Sequence, residues 1–169
     1  NIVQVPLEGG RRQDHVANVG NMVLAHSLLR SLPDINPGKT GFIGISWGSW
    51  YGAMVAAVDS RFTFMLEVYC GGINKTDTRL INGRFLHAAK VPMYWIAGPT
   101  DQNVTLAQIG DACGETLTYA NRTFVVNLPH SHIGYEFPVC FRVADFHLKG
   151  GQPIPKLGDS TVTDGIISS

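Results

Sequence analysis

The stretch Thr40-Gly-Phe-Ile-Gly-Ile-Ser46-Trp-Gly-Ser-Trp-Tyr-Gly52 decides the fold that we expect for this chain of 169 residues. Residues 40–45 are β-branched or aromatic apart from their glycines, which is typical of a short strand buried on both faces. Residues 52–58 read Gly-Ala-Met-Val-Ala-Ala-Val and predict the helix that follows. Gly44-Ile-Ser46-Trp-Gly48 lies between them and has the G-x-S-x-G spacing of a nucleophile elbow, a sharp turn that exposes a serine hydroxyl.

The elbow explains both its glycines and the position of its serine. A serine at the tip of so sharp a turn has strained backbone angles, so we expect both Gly44 and Gly48 to be required because they lack a Cβ. The turn also brings Ser46 to the N-terminus of the next helix, where free N–H groups can hold an oxyanion. The N–H of Trp47 is the expected first donor. The alternative is a glycine-rich turn with an incidental serine.

Composition favours one ordinary domain that acts on a small ligand. The hydrophobic fraction of 44% supports a real core. Thirteen basic and thirteen acidic residues cancel, so no overall field favours nucleic acid or an anionic membrane. No apolar run reaches the roughly 18 residues of a membrane span, and residues 1–20 lack a signal-peptide pattern. The compartment stays open between cytoplasmic and secreted or periplasmic.

The apolar runs predict an α/β fold with a mostly parallel sheet. Strands are expected at residues 40–45, 62–69, 91–97 and 123–128, and helices at 13–31, 52–58, 84–89, 105–113 and 136–148. About four strands with helices between them indicate a three-layer α/β/α sandwich. We expect this domain to cover residues 1–152, with residues 153–169 forming a linker or the start of a β-rich segment. The first helix should turn inward a face formed by Val16, Val19, Gly20, Val23, Leu24, Ser27 and Leu28.

Candidate acid and base residues follow the later strands. Asp101 comes after the third strand, at the sheet edge where open α/β sheets keep their functional groups. Its alternative role is a helix N-cap, for which Asn103 is better placed. His130 and His132 both follow the fourth strand. His132 lies deeper in the loop and is the favoured base, with His130 as the alternative.

The order Ser46, Asp101, histidine is that of a catalytic triad that acts on acyl groups. The imidazole takes the serine proton during attack, and the carboxylate fixes the ring and stabilises the imidazolium. The imidazole then protonates the leaving group and activates the water that cleaves the acyl-enzyme. This chemistry needs no cofactor or metal. Cys70, Cys113 and Cys140 lack metal-binding spacing and are expected to be isolated thiols. Tyr69 and His130 are the candidate substrate-binding residues, and residues 73–85 could also shape the pocket.

Residues 41–72, 92–101 and the loop 129–134 together resemble the α/β-hydrolase superfamily. The likeness is greatest to the branch with acetyl xylan esterase-like enzymes, dienelactone hydrolase-like enzymes and the catalytic domains of prolyl oligopeptidase-type peptidases, and it covers about residues 10–157. The resemblance implies Ser46 as nucleophile, Trp47 as oxyanion-hole amide, Asp101 as acid and His132 as base.

Members of that superfamily have several strands before the elbow, and an early loop supplies a second oxyanion N–H. Here some 39 residues precede the elbow strand. The resemblance therefore implies a truncated fold, the C-terminal half of a hydrolase domain. The elbow strand would then lie at an exposed sheet edge, where a second copy of the chain could pair to form a homo-oligomer.

The expected function is a serine hydrolase that cleaves carboxylic esters, with small-molecule or carbohydrate esters such as acetylated sugars as substrates. One alternative is a serine peptidase of the prolyl oligopeptidase type. The other is a non-catalytic fragment or pseudoenzyme that keeps the elbow without a working oxyanion hole.

Overall fold

The computed structural model describes residues 11–69, 84–118 and 120–155, together with the backbone of two short strands at 161–163 and 166–168. A four-stranded sheet in the order β1-β2-β3-β4 forms its centre, with every neighbouring pair parallel. The strands are β1 Gly41–Ile45, β2 Phe64–Val68, β3 Met93–Ala97 and β4 Ala120–Phe124. The helices are α1 Arg11–Ser31, α2 Trp47–Val58, α3 Arg84–Ala88, α4 Leu106–Gly114 and α5 Pro138–Lys149. The predicted α/β sandwich with about four strands is confirmed.

Helices cover both faces of the sheet, so β2 and β3 are buried along their whole length. The first core contains Val55, Met65, Met93, Trp95 and Ile109, which come from α2, the two central strands and α4. The second core contains Phe64, Leu66, Ile96, Cys140 and Val143, which come from the same strands and α5. Because all four strands run the same way, their carboxyl ends meet at one edge of the sheet.

The strand that leads into the elbow lies at an edge of the described sheet. β1 pairs with β2, and no described strand pairs with its other side. Ile43 at its middle is 47% exposed, whereas the matching position Leu66 on β2 is fully buried. Pairing of a second chain with this edge stays a prediction.

The first helix is confirmed, but its predicted inward face is confirmed only in part, with Val19 packed against the first core. Val16, Leu24 and Leu28 are exposed, whereas Asn18 and His26 are buried. The reason is that α1 meets polar partners on its neighbours. Asn18 donates a hydrogen bond to Tyr51 Oη. His26 lies within hydrogen-bond distance of Thr40, just before β1, and of Asp59, just after α2, as described below. None of the described helices is both long and apolar enough to cross a membrane.

Three local features differ from the sequence predictions. α2 begins at Trp47, directly after Ser46, rather than at Gly52. β4 is Ala120–Phe124 rather than 123–128. The N-cap of α4 is Thr105 rather than Asn103. Thr105 Oγ1 accepts from the Gln108 N–H at 3.3 Å, and the Thr105 N–H donates to Gln108 Oε1 at 2.8 Å. This reciprocal pair is a capping box.

The chain beyond α5 continues along the sheet. Ile154 packs against the second core, and Asn121 Nδ2 donates to the Pro155 carbonyl oxygen at 3.4 Å. Two short strands follow, β5 Thr161–Thr163 and β6 Ile166–Ser168, which pair antiparallel as a separate sheet. A domain boundary near residue 152 stays a prediction.

Candidate active site

Ser46 sits at the sharp turn between β1 and α2 with a strained backbone. Its φ is 54° and its ψ is −113°, a region that costs a residue other than glycine about 1–3 kcal/mol. The surrounding structure holds it there. The Ser46 N–H donates to the Val68 carbonyl oxygen at 2.9 Å, and its own carbonyl accepts from the Trp50 N–H at 3.0 Å. The strand-turn-helix geometry predicted for the elbow is present.

The two glycines of the elbow differ in importance. A Cβ on Gly44 would lie 2.6 Å from the backbone of Gly48 and Ser49, so glycine is required there. A Cβ on Gly48 would meet no atom within 4 Å outside its own helix backbone and chain neighbours. The expectation that Gly48 is needed for the same reason is wrong. It lies in the first turn of α2 and faces open space.

Asp101 lies on the loop after β3, as predicted, with a fully buried side chain. Its Oδ1 accepts hydrogen bonds from the N–H groups of Asn103 at 2.8 Å and Val104 at 3.2 Å. These two bonds fix the plane of the carboxyl group. Its other oxygen, Oδ2, points to the loop that follows β4.

His130 joins the other two residues. Its Nδ1 is 2.8 Å from Asp101 Oδ2, and its Nε2 is 2.8 Å from Ser46 Oγ. With a proton on Nδ1, the ring donates to the carboxylate and accepts the serine hydroxyl through Nε2. The imidazole is 21% exposed, so this chain of hydrogen bonds can be reached from solvent.

His132, the favoured base in the sequence analysis, is not the ring that the structure brings to Ser46. It is exposed and begins a short 3₁₀ helix, His132–Glu136. β4 ends at Phe124, and the loop after it brings His130 to Ser46 before the 3₁₀ helix begins at His132. The preference for His132 over His130 is therefore corrected in favour of His130.

Trp47 and Tyr69, the two other candidate site residues, differ in exposure. Trp47 is 67% exposed, and its N–H is at the first position of α2, where helical N–H groups have no partner within the helix. Tyr69 is completely buried, so it is not an open wall of a pocket, which corrects its assignment to substrate binding. Residues 73–83, the larger part of the predicted pocket segment, lie outside the described residues.

The loops that carry the acid and the base pack directly against each other. A Cβ on Gly98 would collide with the carbonyl oxygen of Leu128, whose side chain is buried. The Val125 N–H donates to the Ala97 carbonyl oxygen at 2.9 Å. These contacts keep Asp101 and His130 in register.

A second set of residues, missed by sequence reasoning, has the same order of carboxylate, imidazole and hydroxyl at the amino ends of the strands. His26 Nδ1 is 2.8 Å from Asp59 Oδ2, and His26 Nε2 is 2.8 Å from Thr40 Oγ1. Arg61 also holds the Asp59 carboxylate, at 2.7 Å. The Asp-x-Arg spacing after α2 was the available signal, since a turn brings such a pair together.

The pKa of Asp59 reflects these partners. Burial pushes its pKa upward, but the hydrogen bonds from Arg61 and His26 outweigh burial and leave the pKa well below its ordinary value. Asp59 is therefore a structural anion at neutral pH.

Glu67 is the other charged residue that the sequence reading overlooked. It lies in the middle of the apolar run of β2 and is completely buried, and its two carboxyl oxygens have no hydrogen-bond partner. Burial raises its pKa well above the ordinary value, an effect that the nearby Ser49 hydroxyl reduces only in part. Ser49 Oγ itself lies 2.8 Å from the Gly44 carbonyl oxygen and 2.7 Å from that of Val68.

Among the described residues, no group of three or more His, Cys, Asp or Glu side chains is arranged to hold a metal ion.

Neither protein-family models nor curated protein sequences give a match to this chain. Solved structures do match it. An acetyl xylan esterase from Paenibacillus sp. R4 superimposes with a TM-score of 0.69 at 11% identity, over 80% of this chain and 54% of that one. A 2,6-dihydroxy-pseudo-oxynicotine hydrolase gives a TM-score of 0.68 at 16% identity, over 82% and 49%.

This chain has the α/β-hydrolase fold. An acylaminoacyl peptidase from Pyrococcus horikoshii shares it, with a TM-score of 0.63 at 12% identity over 82% of this chain and 29% of that one. The present chain spans about half the length of the first two structures. Within the α/β-hydrolase fold, the elbow, the acid loop and the histidine loop all lie at the carboxyl edge of the sheet, where ligands of open α/β sheets bind.

Proposed function

We propose that the protein is a serine hydrolase that cleaves carboxylic esters through an acyl-enzyme. The observation that carries this proposal is the unbroken hydrogen-bond chain from Asp101 through His130 to Ser46, with 2.8 Å at both links. The strained backbone of Ser46 supports it, because strain held by surrounding structure concentrates at functional sites. The likeness to esterases and hydrolases of the same fold points the same way.

In the first step Ser46 Oγ attacks the ester carbonyl carbon while His130 Nε2 takes the serine proton. Asp101 keeps the Nδ1 proton in place and stabilises the imidazolium. His130 then gives the proton from Nε2 to the leaving alkoxide, which departs as the alcohol. In the second step the same nitrogen takes a proton from water as the water oxygen attacks the acyl carbon. Return of that proton to Ser46 Oγ releases the acid.

The tetrahedral intermediates carry a negative oxygen that needs donors. Trp47 at the start of α2 supplies a backbone N–H beside Ser46, and the helix N-terminus adds its partial positive charge. Preorganised donors of this kind act without reorientation during the reaction, and loss of one costs about 10²–10³-fold in kcat.

Carbohydrate esters such as acetylated sugars are the substrate class that we propose first. The support is the likeness to an acetyl xylan esterase. The acylaminoacyl peptidase with the same fold makes amide bonds the competing class, and His130 could equally protonate an amine leaving group.

Labelling with a fluorophosphonate probe tests the proposed function. We expect stoichiometric modification of the purified protein and no modification of the Ser46→Ala variant. The matched control is Thr40→Ala, which removes the hydroxyl from the second Asp-His-hydroxyl chain and should leave labelling intact. A folded wild-type protein that is not labelled would favour the non-catalytic alternative.

Substrate class is tested on the unlabelled wild-type protein, whose Ser46 is free, with three probes: 4-nitrophenyl acetate, an acetylated xylo-oligosaccharide and a prolyl 4-nitroanilide. We expect release of acetate from both esters and no release of nitroaniline. Cleavage of the anilide at a comparable kcat/KM would replace the esterase proposal by the peptidase one.

A further inference from the structure

Tyr69 connects the end of β2 to the loop that carries His130. Its side chain is completely buried, and its hydroxyl donates to the Pro129 carbonyl oxygen at 2.6 Å. Its ring centroid lies 4.6 Å from that of the His130 imidazole, with the planes tilted by 33°. Tyr69 therefore contacts both the reactive ring and the peptide group directly before it.

The backbone of Tyr69 is strained in the same sense as that of Ser46. Its φ is 54°, which is rare for an aromatic residue because the Cβ is crowded in this region. Its N–H is nevertheless bonded to the Ile96 carbonyl oxygen at 2.9 Å, so the sheet holds the strained turn in place. Ser46 and Tyr69 thus follow neighbouring strands, each in a left-handed conformation next to His130.

The hydroxyl of Tyr69 occupies a closed space within the loop. A Cβ on Gly134, in the 3₁₀ helix after His130, would lie 2.7 Å from the Tyr69 hydroxyl. Burial raises the pKa of Tyr69, and the Ser131 N–H and hydroxyl reduce that effect in part. The phenol consequently keeps its proton at neutral pH and acts as a hydrogen-bond donor.

We infer that Tyr69 is a positioning residue for the reaction, acting through His130. The hydroxyl fixes the Pro129 carbonyl and the ring supports one side of the imidazole, so that Nε2 stays at bonding distance from Ser46 Oγ while Nδ1 stays on Asp101. This role rests on the proposed function. The two hydrogen bonds of the triad hold the His130 ring only at its nitrogens. Tyr69 adds contacts to one side of the ring and to the peptide group before it.

The Tyr69→Phe variant tests this inference because it removes the hydroxyl and keeps the ring. For hydrolysis of 4-nitrophenyl acetate we expect kcat to fall by about 10- to 100-fold, the range for a misplaced catalytic group, with KM changed less than kcat. The acid limb of the kcat/KM profile should move to lower pH, because a loosened ring loses part of the stabilisation that Asp101 gives to the imidazolium.

Tyr94→Phe is the matched control. Tyr94 is also a buried tyrosine on the sheet, and its hydroxyl bonds His147 Nε2 at 2.7 Å, away from Ser46. Tyr94→Phe also removes one buried tyrosine hydroxyl and its hydrogen bond, here to a histidine ring, but its kcat and pH profile should match the wild type. A second variant, Gly134→Ala, places a methyl group 2.5 Å from Val68 Cγ1 and 2.7 Å from the Tyr69 hydroxyl. Both residues would have to shift, so this variant should reproduce the kcat loss and replaces Tyr69→Phe if that variant unfolds.

The outcomes separate this inference from the proposed function. If the wild type is labelled at Ser46 and Tyr69→Phe keeps the wild-type kcat and pH profile, the positioning role is overturned and the hydrolase stands. An equal fall in kcat for Tyr69→Phe and Tyr94→Phe, with no change of the pH profile, also overturns it, since it shows a general structural effect. A folded wild type without labelling at Ser46 overturns the proposed function instead.

Discussion

The two edges of the sheet carry the same chain of groups, a carboxylate, an imidazole and a hydroxyl, with 2.8 Å at every link. At the carboxyl edge the hydroxyl belongs to Ser46, and the imidazole of His130 is 21% exposed. At the amino edge it belongs to Thr40, and the imidazole of His26 is 1% exposed. Hydrogen-bond geometry alone therefore does not distinguish a catalytic group from a structural one.

Three features distinguish the Asp101-His130-Ser46 hydrogen bonds from the Asp59-His26-Thr40 hydrogen bonds. Ser46 is held at a strained φ next to the N-terminus of α2, whereas Thr40 precedes β1 and faces no helix N-terminus in the described contacts. Arg61 neutralises Asp59, whereas the Asp101 carboxylate is held by two backbone N–H groups. The His26 ring is stacked against Phe62, with centroids 3.5 Å apart, which leaves no room for a substrate. Solvent access, a helix N-terminus beside the hydroxyl and a carboxylate without a cationic partner therefore distinguish the Ser46 site from the Thr40 site.

The largest effect should come from His130, one of the two histidines in the loop after β4. His130→Ala removes the group that accepts the serine proton, so kcat should fall by about 10⁵–10⁶-fold, as for loss of a triad histidine. His132→Ala is the control and should stay within about threefold, because an exposed ring outside the hydrogen-bond chain has little to contribute. Ester hydrolysis at saturating substrate measures both. The reverse ranking would restore His132 as the base.

Replacement of each aspartate by asparagine sharpens the comparison. Asp101→Asn should lower kcat by about 10⁴-fold, because the amide no longer fixes the ring tautomer. Asp59→Asn, at the amino edge, should leave kcat per folded molecule unchanged. Circular dichroism gives the folded fraction for both variants, because fluorophosphonate labelling itself depends on the Asp101-His130-Ser46 hydrogen bonds. Equal losses of kcat would contradict the division into a catalytic and a structural chain.

Asp59→Ala should show what the amino-edge chain does instead. It leaves His26 and Arg61 without their shared anion. Because Arg61 is partly exposed and can be solvated, the loss should be about 1.5–3 kcal/mol of unfolding free energy, the value of hydrogen bonds to a charged group. The lowered pKa of Asp59 means that its stabilising effect is present above its ordinary pKa and is lost as pH falls. Urea unfolding at pH 7 and at lower pH should therefore show a difference between wild type and variant that shrinks on acidification.

The smallest effect should come from Glu67, the buried carboxyl whose only compensation among the described residues is the nearby Ser49 hydroxyl. Because its pKa is raised, the folded state binds a proton at Glu67 more tightly than the unfolded state does. The residue therefore destabilises the fold increasingly as the pH rises above the ordinary pKa of a glutamate. Glu67→Met should raise the unfolding free energy by about 1–3 kcal/mol at pH 7, the cost of an unsatisfied buried polar group. The gain should diminish toward pH 4. Glu136→Met, at an exposed glutamate, is the control and should show no such trend.

Much of the fold and the positions of Ser46 and Asp101 could be predicted from the sequence. β1, β2 and β3 are short apolar runs, whereas β4 reads Ala-Asn-Arg-Thr-Phe and lies three to four residues before the predicted strand 123–128. The order of Ser46, Asp101 and a histidine after successive strands brought these residues together in the prediction because parallel strands end at the same edge. The choice between His130 and His132 depended on where the loop turns into a 3₁₀ helix, which the sequence around them does not encode.

The amino-edge chain and the role of Tyr69 could not be found in this way. His26, Thr40 and Asp59 come from three separate segments, and the packing of α1 against α2 brings them together. The inward face of α1 was misjudged in part for the same reason, since its fully buried positions are occupied by Asn18 and His26, whereas Val19 is only partly buried. Tyr69 looks like an ordinary strand residue until its left-handed backbone and its bond to Pro129 are seen.

Gly98 and Leu128 restrict how this protein can change over evolution. Because the Leu128 carbonyl oxygen occupies the space that a side chain at Gly98 would need, an insertion or shift in either loop separates acid from base. Surface loops usually tolerate such changes in length, but these two have to vary together or not at all. Mutant libraries designed to alter substrate preference should therefore keep both positions fixed and place their diversity elsewhere, around the exposed ring of Trp47.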